Sequence, residues 1–201
     1  MSLLRPSSHR IALLAPVTTV AQAAAAAAAG AALVDAGPHG ELGPAIRRAV
    51  GGVRVCGQHE TADVVRDAGL AARAGAALIC PGPDAAAAAV RRGVAAERIL
   101  VQAAPAGIEA TVRAGWPVLA DLEEFAGTDG TAELDGPVNL ARAEAVGAAE
   151  LARAEAVAAV CVWLGVSVLR TRHVAEVRRC ADMTESILGR RPPAWAVRGL
   201  A

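Results

Sequence analysis

The chain has 201 residues and a formal net charge of zero, and its hydrophobic fraction of 54% is rich in alanine, whereas aromatic residues make up only 2%. This length suffices for one domain with a real core, so we expect residues 1–201 to form one domain with an irregular tail from about residue 190. The interspersed charges exclude an electrostatic nucleic-acid binder, which would carry a basic stripe.

The first apolar stretch, Ile11–Val34, is interrupted by Pro16, Gln22 and Gly30, so we do not expect it to span a membrane. It instead begins a repeating pattern, in which a short Val-, Ile- and Leu-rich run is followed by an alanine-rich helical stretch that ends at glycine. Such runs, apolar on both faces, are typical of buried parallel strands. The seven predicted strand runs are Arg10–Pro16, Ala31–Gly37, Val53–Gln58, Ala76–Gly82, Arg98–Ala104, Trp116–Leu122 and Ser167–Arg172.

Alternating strands and helices predict an α/β fold with right-handed crossovers, and about seven strands favour a TIM-barrel-like fold over an open sheet. Seven is one fewer than the usual eight. We therefore expect an incomplete or distorted barrel. The spacing between Ala76–Gly82 and Arg98–Ala104 is tight, which suggests that the missing strand belongs there.

Between the sixth and seventh runs, Gly127–Pro137 has the composition of a loop, and a long helix is predicted from Val138 to Leu164. This helix contains the same seven residues twice, at Leu140–Val146 and Leu151–Val157. An offset of 11 residues is close to three turns, so both copies present one face. We expect that face to pack on the barrel, with a partner-binding helix as the alternative. In the tail, Trp195 is expected to dock on the body or on a partner.

The active sites of such barrels lie at the C-terminal ends of the strands. Asp35 ends the second predicted strand, and the last contains Arg170 and Arg172, which share a face because they are two residues apart. An arginine at this position suits phosphate or carboxylate. The alternative for Arg170 is an ion pair with Asp35 or Asp121, and the sequence leaves both open.

Two cysteines, Cys56 and Cys80, end successive predicted strands, with His59 nearby. A metal or nucleophile site is one interpretation, but two small buried thiols are favoured because no further ligand is apparent. The four cysteines have no metal-type spacing, and a reducing, cytoplasmic setting is expected. Glu123 and Glu124 could serve acid–base chemistry, although solvated surface charge is the favoured interpretation.

In order and spacing, these segments resemble the dihydropteroate synthase (pterin-binding) family. "GAALVDAGP" is similar to the family's "GADIIDVGGEST", "AAERILVQAAP" to "ERIVLDPG", and "GVSVLRTRHVAEVRR" to its final "RVHDVAETRR" pattern. The ending "ILGRRPPAWAVRGLA" resembles a divergent second synthase-like paralogue of actinobacteria. The resemblance covers nearly the whole chain and implies a pterin-binding barrel.

The resemblance also implies a degenerate active site. Active members join a pterin pyrophosphate to p-aminobenzoate, which needs magnesium and cations around the leaving pyrophosphate. Only Asp35 and Arg170 match the family's site residues. Family residues for metal, pterin and phosphate are replaced by Pro16, Cys56, Cys80, Gln102, Glu123, Glu124, Phe125 and Arg172. We therefore expect no magnesium and no other cofactor.

Two hypotheses follow. In the first, the chain is a pseudoenzyme with a binding, regulatory or scaffold role, and its partner is a second copy or another enzyme. In the second, it binds a pterin-like or anionic small molecule, or acts on one, with candidate ligand-binding residues Asp35, Arg170, Gln102, Cys56, Cys80 and Arg172. No nucleic acid or membrane partner is expected under either hypothesis.

Overall fold

The computed structural model describes residues 10–38, 41–125 and 140–191, with the backbone alone for 140–146. Eight parallel strands form a closed barrel in chain order, and β8 pairs with β1. The strands are β1 Ala12–Pro16, β2 Leu33–Asp35, β3 Arg54–Cys56, β4 Val64–Val65, β5 Ala77–Cys80, β6 Ile99–Gln102, β7 Val118–Asp121 and β8 Val168–Arg170. The TIM-barrel-like fold class predicted from the sequence is confirmed.

Helices cover the outside of the barrel. They are α1 Val20–Ala28, α2 Leu42–Ala49, α3 Ala68–Ala74, α4 Pro83–Arg91, α5 Ile108–Arg113, α6 Leu140–Leu164 and α7 Val174–Ile187, with 3₁₀ turns at Ala96–Arg98 and Pro105–Gly107. Among the described helices, none is long and apolar enough to cross a bilayer. The predicted loop Gly127–Pro137 and the tail with Trp195 lie outside the described residues.

The predicted number of seven strands is wrong, and so is the expectation of an incomplete barrel. The missed strand is β4, which pairs with β3 through Cys56 and Val64 and with β5 through Val64 and Ala77. It lies before β5, whereas the sequence suggested a gap between Cys80 and Arg98. Two residues are too short to show a strand period, and the alanine-rich sequence that follows Val64 and Val65 has a helical pattern.

Alternation along the strands sorts the apolar side chains into an interior and an outer shell. One buried cluster fills the barrel with Leu14, Leu33, Cys56, Val64, Ala77, Ile79, Leu100, Leu119 and Val168. The residues between them pack under the helices in two further clusters, which contain Leu13, Val34, Val55, Ala120 and Leu169 on one side and Val65, Leu78, Cys80 and Val101 on the other. The residues of each strand that face the barrel interior can therefore be identified from this alternation.

The predicted long helix is present as α6, and α7 packs beside it. Ala154, Ala158, Cys161 and Val162 bury one side of α6. Cys180 Sγ of α7 donates to the Glu155 carbonyl of α6 at 3.1 Å, and Arg190, just after the end of α7, donates from Nη1 to the Val162 carbonyl at 2.9 Å.

A buried ion-pair cluster attaches α7 to the start of β1. Arg178 Nη1 donates to the Ile11 carbonyl at 2.7 Å, and the Ile11 N–H donates to Glu185 Oε1 at 2.6 Å. Arg178 Nη2 also lies 2.5 Å from Asp182 Oδ1 and 3.6 Å from Glu185 Oε2. Burial alone would raise the pKa of Asp182, but nearby arginines, Arg178 among them, outweigh it and hold this pKa below its ordinary value.

Candidate functional site

Five polar side chains form one layer at the carboxyl end of the barrel, where the strands end. We call these the mouth layer: Asp35, Arg66, Gln102, Asp121 and Arg170. Each stands two residues after an interior residue, respectively Leu33, Val64, Leu100, Leu119 and Val168. They face inward for the same reason, because every second side chain along a strand points to the same side. The mouth layer therefore caps the apolar interior with two cations, two anions and one amide.

Arg170 is the centre of this layer. Its Nη1 donates to Asp121 Oδ2 at 2.7 Å, and its Nε lies 3.6 Å from Asp35 Oδ2. Both carboxylates are buried. Burial alone would lower the pKa of Arg170, but the charge and hydrogen bond of Asp121 together with the charge of Asp35 raise it. The ion-pair alternative left open by the sequence is thus the observed arrangement, with both aspartates.

Arg66 extends the layer to the opposite wall. Its Nη2 lies 3.4 Å from Asp35 Oδ2, and its Nη1 donates to Gln102 Oε1 at 3.0 Å. Gln102 Nε2 in turn donates to Glu124 Oε1 at 2.8 Å. A continuous chain of polar contacts therefore crosses the mouth, and Asp35 is shared between two guanidinium groups.

Arg172 does not join the mouth layer. Its Nε pairs with Glu123 Oε1 at 3.2 Å, its Nη2 lies 4.0 Å from Glu150 Oε2, and 58% of its side chain is exposed. In a longer strand Arg172 would lie on the same face as Arg170, but β8 ends at Arg170. Arg172 therefore lies on the rim, where water screens its charge.

The two cysteines lie on different sides of the barrel wall. Cys56 belongs to the interior cluster, and Cys80 packs in the outer shell with Leu78 and Val101. Burial, with a further contribution from Asp35, raises the pKa of Cys56 to about 12, and burial also raises the pKa of Cys80. Both groups are therefore neutral thiols near pH 7, which makes them poor nucleophiles and poor metal ligands.

Cys56 is expected to resist alkylation in the folded protein. At pH 8, iodoacetamide should modify it at least about 100-fold more slowly than in the urea-unfolded chain, because the reactive thiolate is suppressed and access is blocked. Mass spectrometry of the Cys56 peptide over time measures both rates. Similar rates in the two states would show that the thiol is accessible and ionised, contrary to this description.

The described residues of the mouth enclose one cleft and border one groove. A cleft of about 130 Å³ is lined by Asp35, Gly37, Pro38, Cys56, Gly57, Gln58 and Arg66. This volume is well below the roughly 300–1,000 Å³ of typical small-molecule sites. A larger groove of about 340 Å³ lies outside the strands, between the start of α3 and α4, and Arg66 borders it as well. Arg66 thus separates the mouth from this groove.

The described residues of the mouth offer a poor ligand set for a magnesium ion. Magnesium binds oxygen ligands, and the two buried carboxylates of the mouth layer, Asp35 and Asp121, both face the Arg170 guanidinium. That positive charge opposes a second cation between them. Pro16, at the end of β1, offers no side-chain oxygen. Among the described residues, no group of three or more His, Cys, Asp or Glu side chains could hold a metal ion.

Comparison with solved structures relates this barrel to dihydropteroate synthases. The structure of Mycobacterium tuberculosis Rv1207 aligns with a TM-score of 0.69 at 23% identity, covering 94% of this chain and 98% of that chain. Dihydropteroate synthase from Yersinia pestis aligns with a TM-score of 0.66 at 15% identity, covering 90% and 93% respectively. The Thermus thermophilus synthase, in complex with 4-aminobenzoate, aligns with a TM-score of 0.66 at 19% identity, covering 90% and 94%.

These similarities show the fold alone. No family model matches the chain, and no curated protein matches it. The resemblance inferred from the sequence is therefore supported at the level of a dihydropteroate-synthase-like barrel.

The structure brings together three of the candidate residues named from the sequence, namely Asp35, Gln102 and Arg170. Cys56 lies beside Asp35 on the neighbouring strand and lines the same cleft, whereas Cys80 faces the helices and Arg172 lies on the rim. Arg66 is a mouth residue that was not among the candidates predicted from the sequence. The signal for it was the run Val64–Val65 followed by Arg66, which repeats the pattern of an apolar strand that ends in a polar residue.

Proposed function

We propose that this chain is a dihydropteroate-synthase-like barrel without synthase activity, and that it acts as a binding, regulatory or scaffold protein. The observation that carries the proposal is the pairing of both mouth arginines with buried carboxylates. A synthase-type reaction expels pyrophosphate, which needs free cations at the place where negative charge develops. Here Arg170 is held by Asp121 and Asp35, and Arg66 by Asp35 and Gln102.

The rim adds to this argument. It carries two further carboxylates, Glu123 and Glu124, and Glu124 Oε1 accepts a hydrogen bond from Gln102 Nε2 at 2.8 Å. A pyrophosphate at this edge would meet carboxylates, and each close pair of like charges costs binding free energy.

We expect no turnover when the protein is incubated with pterin pyrophosphate, p-aminobenzoate and magnesium, because the mouth cannot stabilise the leaving group. Pteroate formation is followed by chromatography beside an active synthase and a protein-free blank. Product above the blank would refute the pseudoenzyme proposal, provided that the Arg170→Met variant loses it. That variant guards against contamination by a host synthase.

A second candidate function is small-molecule binding without catalysis. The observation that favours it is the cleft in which Asp35, Gln58 and Arg66 converge, since a carboxylate and a guanidinium can together read the edge of a polar heterocycle. Calorimetry with a pterin, and separately with pyrophosphate plus magnesium, distinguishes the candidates. Saturable pterin binding that is lost in Asp35→Asn would establish the binder, and no heat from either ligand would leave the scaffold role.

A further inference from the structure

The groove outside the strands has an apolar floor and an apolar wall. Its floor is the outer side of β5, where Leu78 and Cys80 lie, and one wall is α4. Its volume of about 340 Å³ falls within the roughly 300–1,000 Å³ of small-molecule sites. Cys80 is a neutral thiol, which behaves as a small apolar group. The groove therefore has the size and the surface to hold a small molecule with an apolar body.

The open space follows from the sequence of α4. This helix contains the alanine run Ala85–Ala89, and the residues that it buries are Ala86 and Ala89. Alanine favours helix more than any other residue, so α4 forms without a large side chain packed against the barrel. Protein interiors are normally close-packed, but the one-carbon side chains of this run cannot fill the space above the strands. A groove therefore remains between α3 and α4.

The part of α4 that lines the groove is a single helix face. The lining residues have the spacing i, i+3, i+4 and i+7, which places them along one side of a helix, and they are Ala85, Ala88, Ala89 and Arg92. Arg92 directly follows the last residue of α4. From Ala85 to Arg92 the helix rises by about 10 Å. Because α4 begins just after β5 ends, Arg92 lies at the end of the groove away from the mouth.

The two ends of the groove differ in charge. Arg92 is exposed, and no carboxylate of the described part of the chain pairs with it. At the mouth end, Asp67 borders the groove, and the Arg66 guanidinium is engaged by Asp35 and Gln102. An anionic group in the groove is therefore attracted to Arg92 and repelled by Asp67.

We propose that this groove binds a medium-length aliphatic monocarboxylate, with its carboxylate on Arg92 and its chain along the alanines of α4. A guanidinium offers parallel N–H donors that match the two oxygens of a carboxylate. The length of about 10 Å suits an extended chain of about eight carbons. Burial of that chain against Leu78, Cys80 and the alanines supplies the apolar part of the binding free energy.

The site lies outside the barrel, so the proposal does not depend on the function proposed from the mouth, and its failure leaves that function untouched. Three probes separate the charge from the chain: octanoate, octanol and acetate. Calorimetry with the full chain should show saturable octanoate binding with a dissociation constant on the order of 1 mM or tighter. Octanol lacks the charge and should bind at least about threefold more weakly. Acetate lacks the chain and should give no saturable heat.

Two variants locate the site, and each has a matched control. Arg92→Gln should weaken octanoate binding at least about threefold, while Arg91→Gln removes the same group from the adjacent residue, which does not line the groove, and should leave it unchanged. Ala88→Leu fills the groove and should weaken octanoate binding at least about 10-fold. Ala87→Leu adds the same side chain outside the groove lining and should change it by less than about twofold. Circular dichroism of all four variants checks that they fold.

Three results would overturn the proposal. The first is the absence of saturable octanoate binding by the full chain. The second is equal affinity for octanol and octanoate, which would remove the role of Arg92. The third is octanoate binding that the folded Arg92→Gln and Ala88→Leu variants retain unchanged, which would place the ligand elsewhere on the protein.

Discussion

Replacing Arg170 with methionine is expected to lower the free energy of unfolding by about 2–3 kcal/mol. The guanidinium is the cation that Asp121 and Asp35 share, at 2.7 and 3.6 Å. Methionine keeps much of the volume and removes the charge, which leaves the buried Asp121 without the arginine that pairs with it and the buried Asp35 with Arg66 alone. Breaking a buried pair costs about 3–5 kcal/mol, and we reduce that value because Arg170 retains 23% exposure. Urea unfolding with comparison of m-values measures the loss.

The matched control is Arg172→Met, which removes the same group two residues away. Since Arg172 is 58% exposed, its loss should cost less than about 0.5 kcal/mol. The double variant Arg170→Met with Asp121→Asn should recover part of the stability, because one orphaned charge is gone. If instead Arg170→Met stabilises the protein, the arginine is held at a cost to folding, as functional residues often are, and the pseudoenzyme proposal loses its main support.

Arg178→Met is expected to have the larger effect, a loss of about 3–5 kcal/mol, because it breaks the cluster that joins α7 to β1. Glu185 is 2% exposed and would lose the arginine beside it, while the Ile11 carbonyl would lose its donor at 2.7 Å. Arg179→Met is the natural control, because Arg179 is the next residue of the same helix and 74% exposed. Chemical denaturation of both variants gives the comparison.

Equal losses in the two variants would contradict this account of the cluster. The double variant Arg178→Met with Glu185→Gln separates the charge from the packing, because glutamine can still accept from the Ile11 N–H. Recovery of at least about 1 kcal/mol relative to Arg178→Met would show that the unpaired carboxylate causes much of the loss. No recovery would assign the loss to the missing arginine contacts alone.

The fold could be predicted from the sequence because seven of the eight strands are apolar runs that end in turn-forming residues. Strand β4 could not be predicted, because its two residues, Val64 and Val65, are too few to show the alternation of a strand, and the alanines after them favour helix. What makes Val64–Val65 a strand is its place between β3 and β5, whose backbone groups need partners. That requirement exists only once the barrel has formed.

The site was predictable to the same extent as the strands. Asp35, Gln102 and Arg170 were named because their strands were recognised, whereas Arg66 was missed together with β4. The orientation of Cys80 could also have been predicted from the sequence, since Ile79 faces inward and its neighbour must face the helices. The pairing of Arg170 with both aspartates could not be predicted, because the choice between a bound anion and an internal carboxylate depends on distances across the barrel.

The mouth layer also affects how fast a charged molecule can reach the barrel. Its two guanidinium groups and two carboxylates cancel within a few ångströms, so the layer projects little electric field into solution. A charged ligand would therefore reach this end of the barrel by unassisted diffusion, without the acceleration that a cleft of one sign provides. Association at the mouth should then depend only weakly on ionic strength, as in encounters between uncharged surfaces.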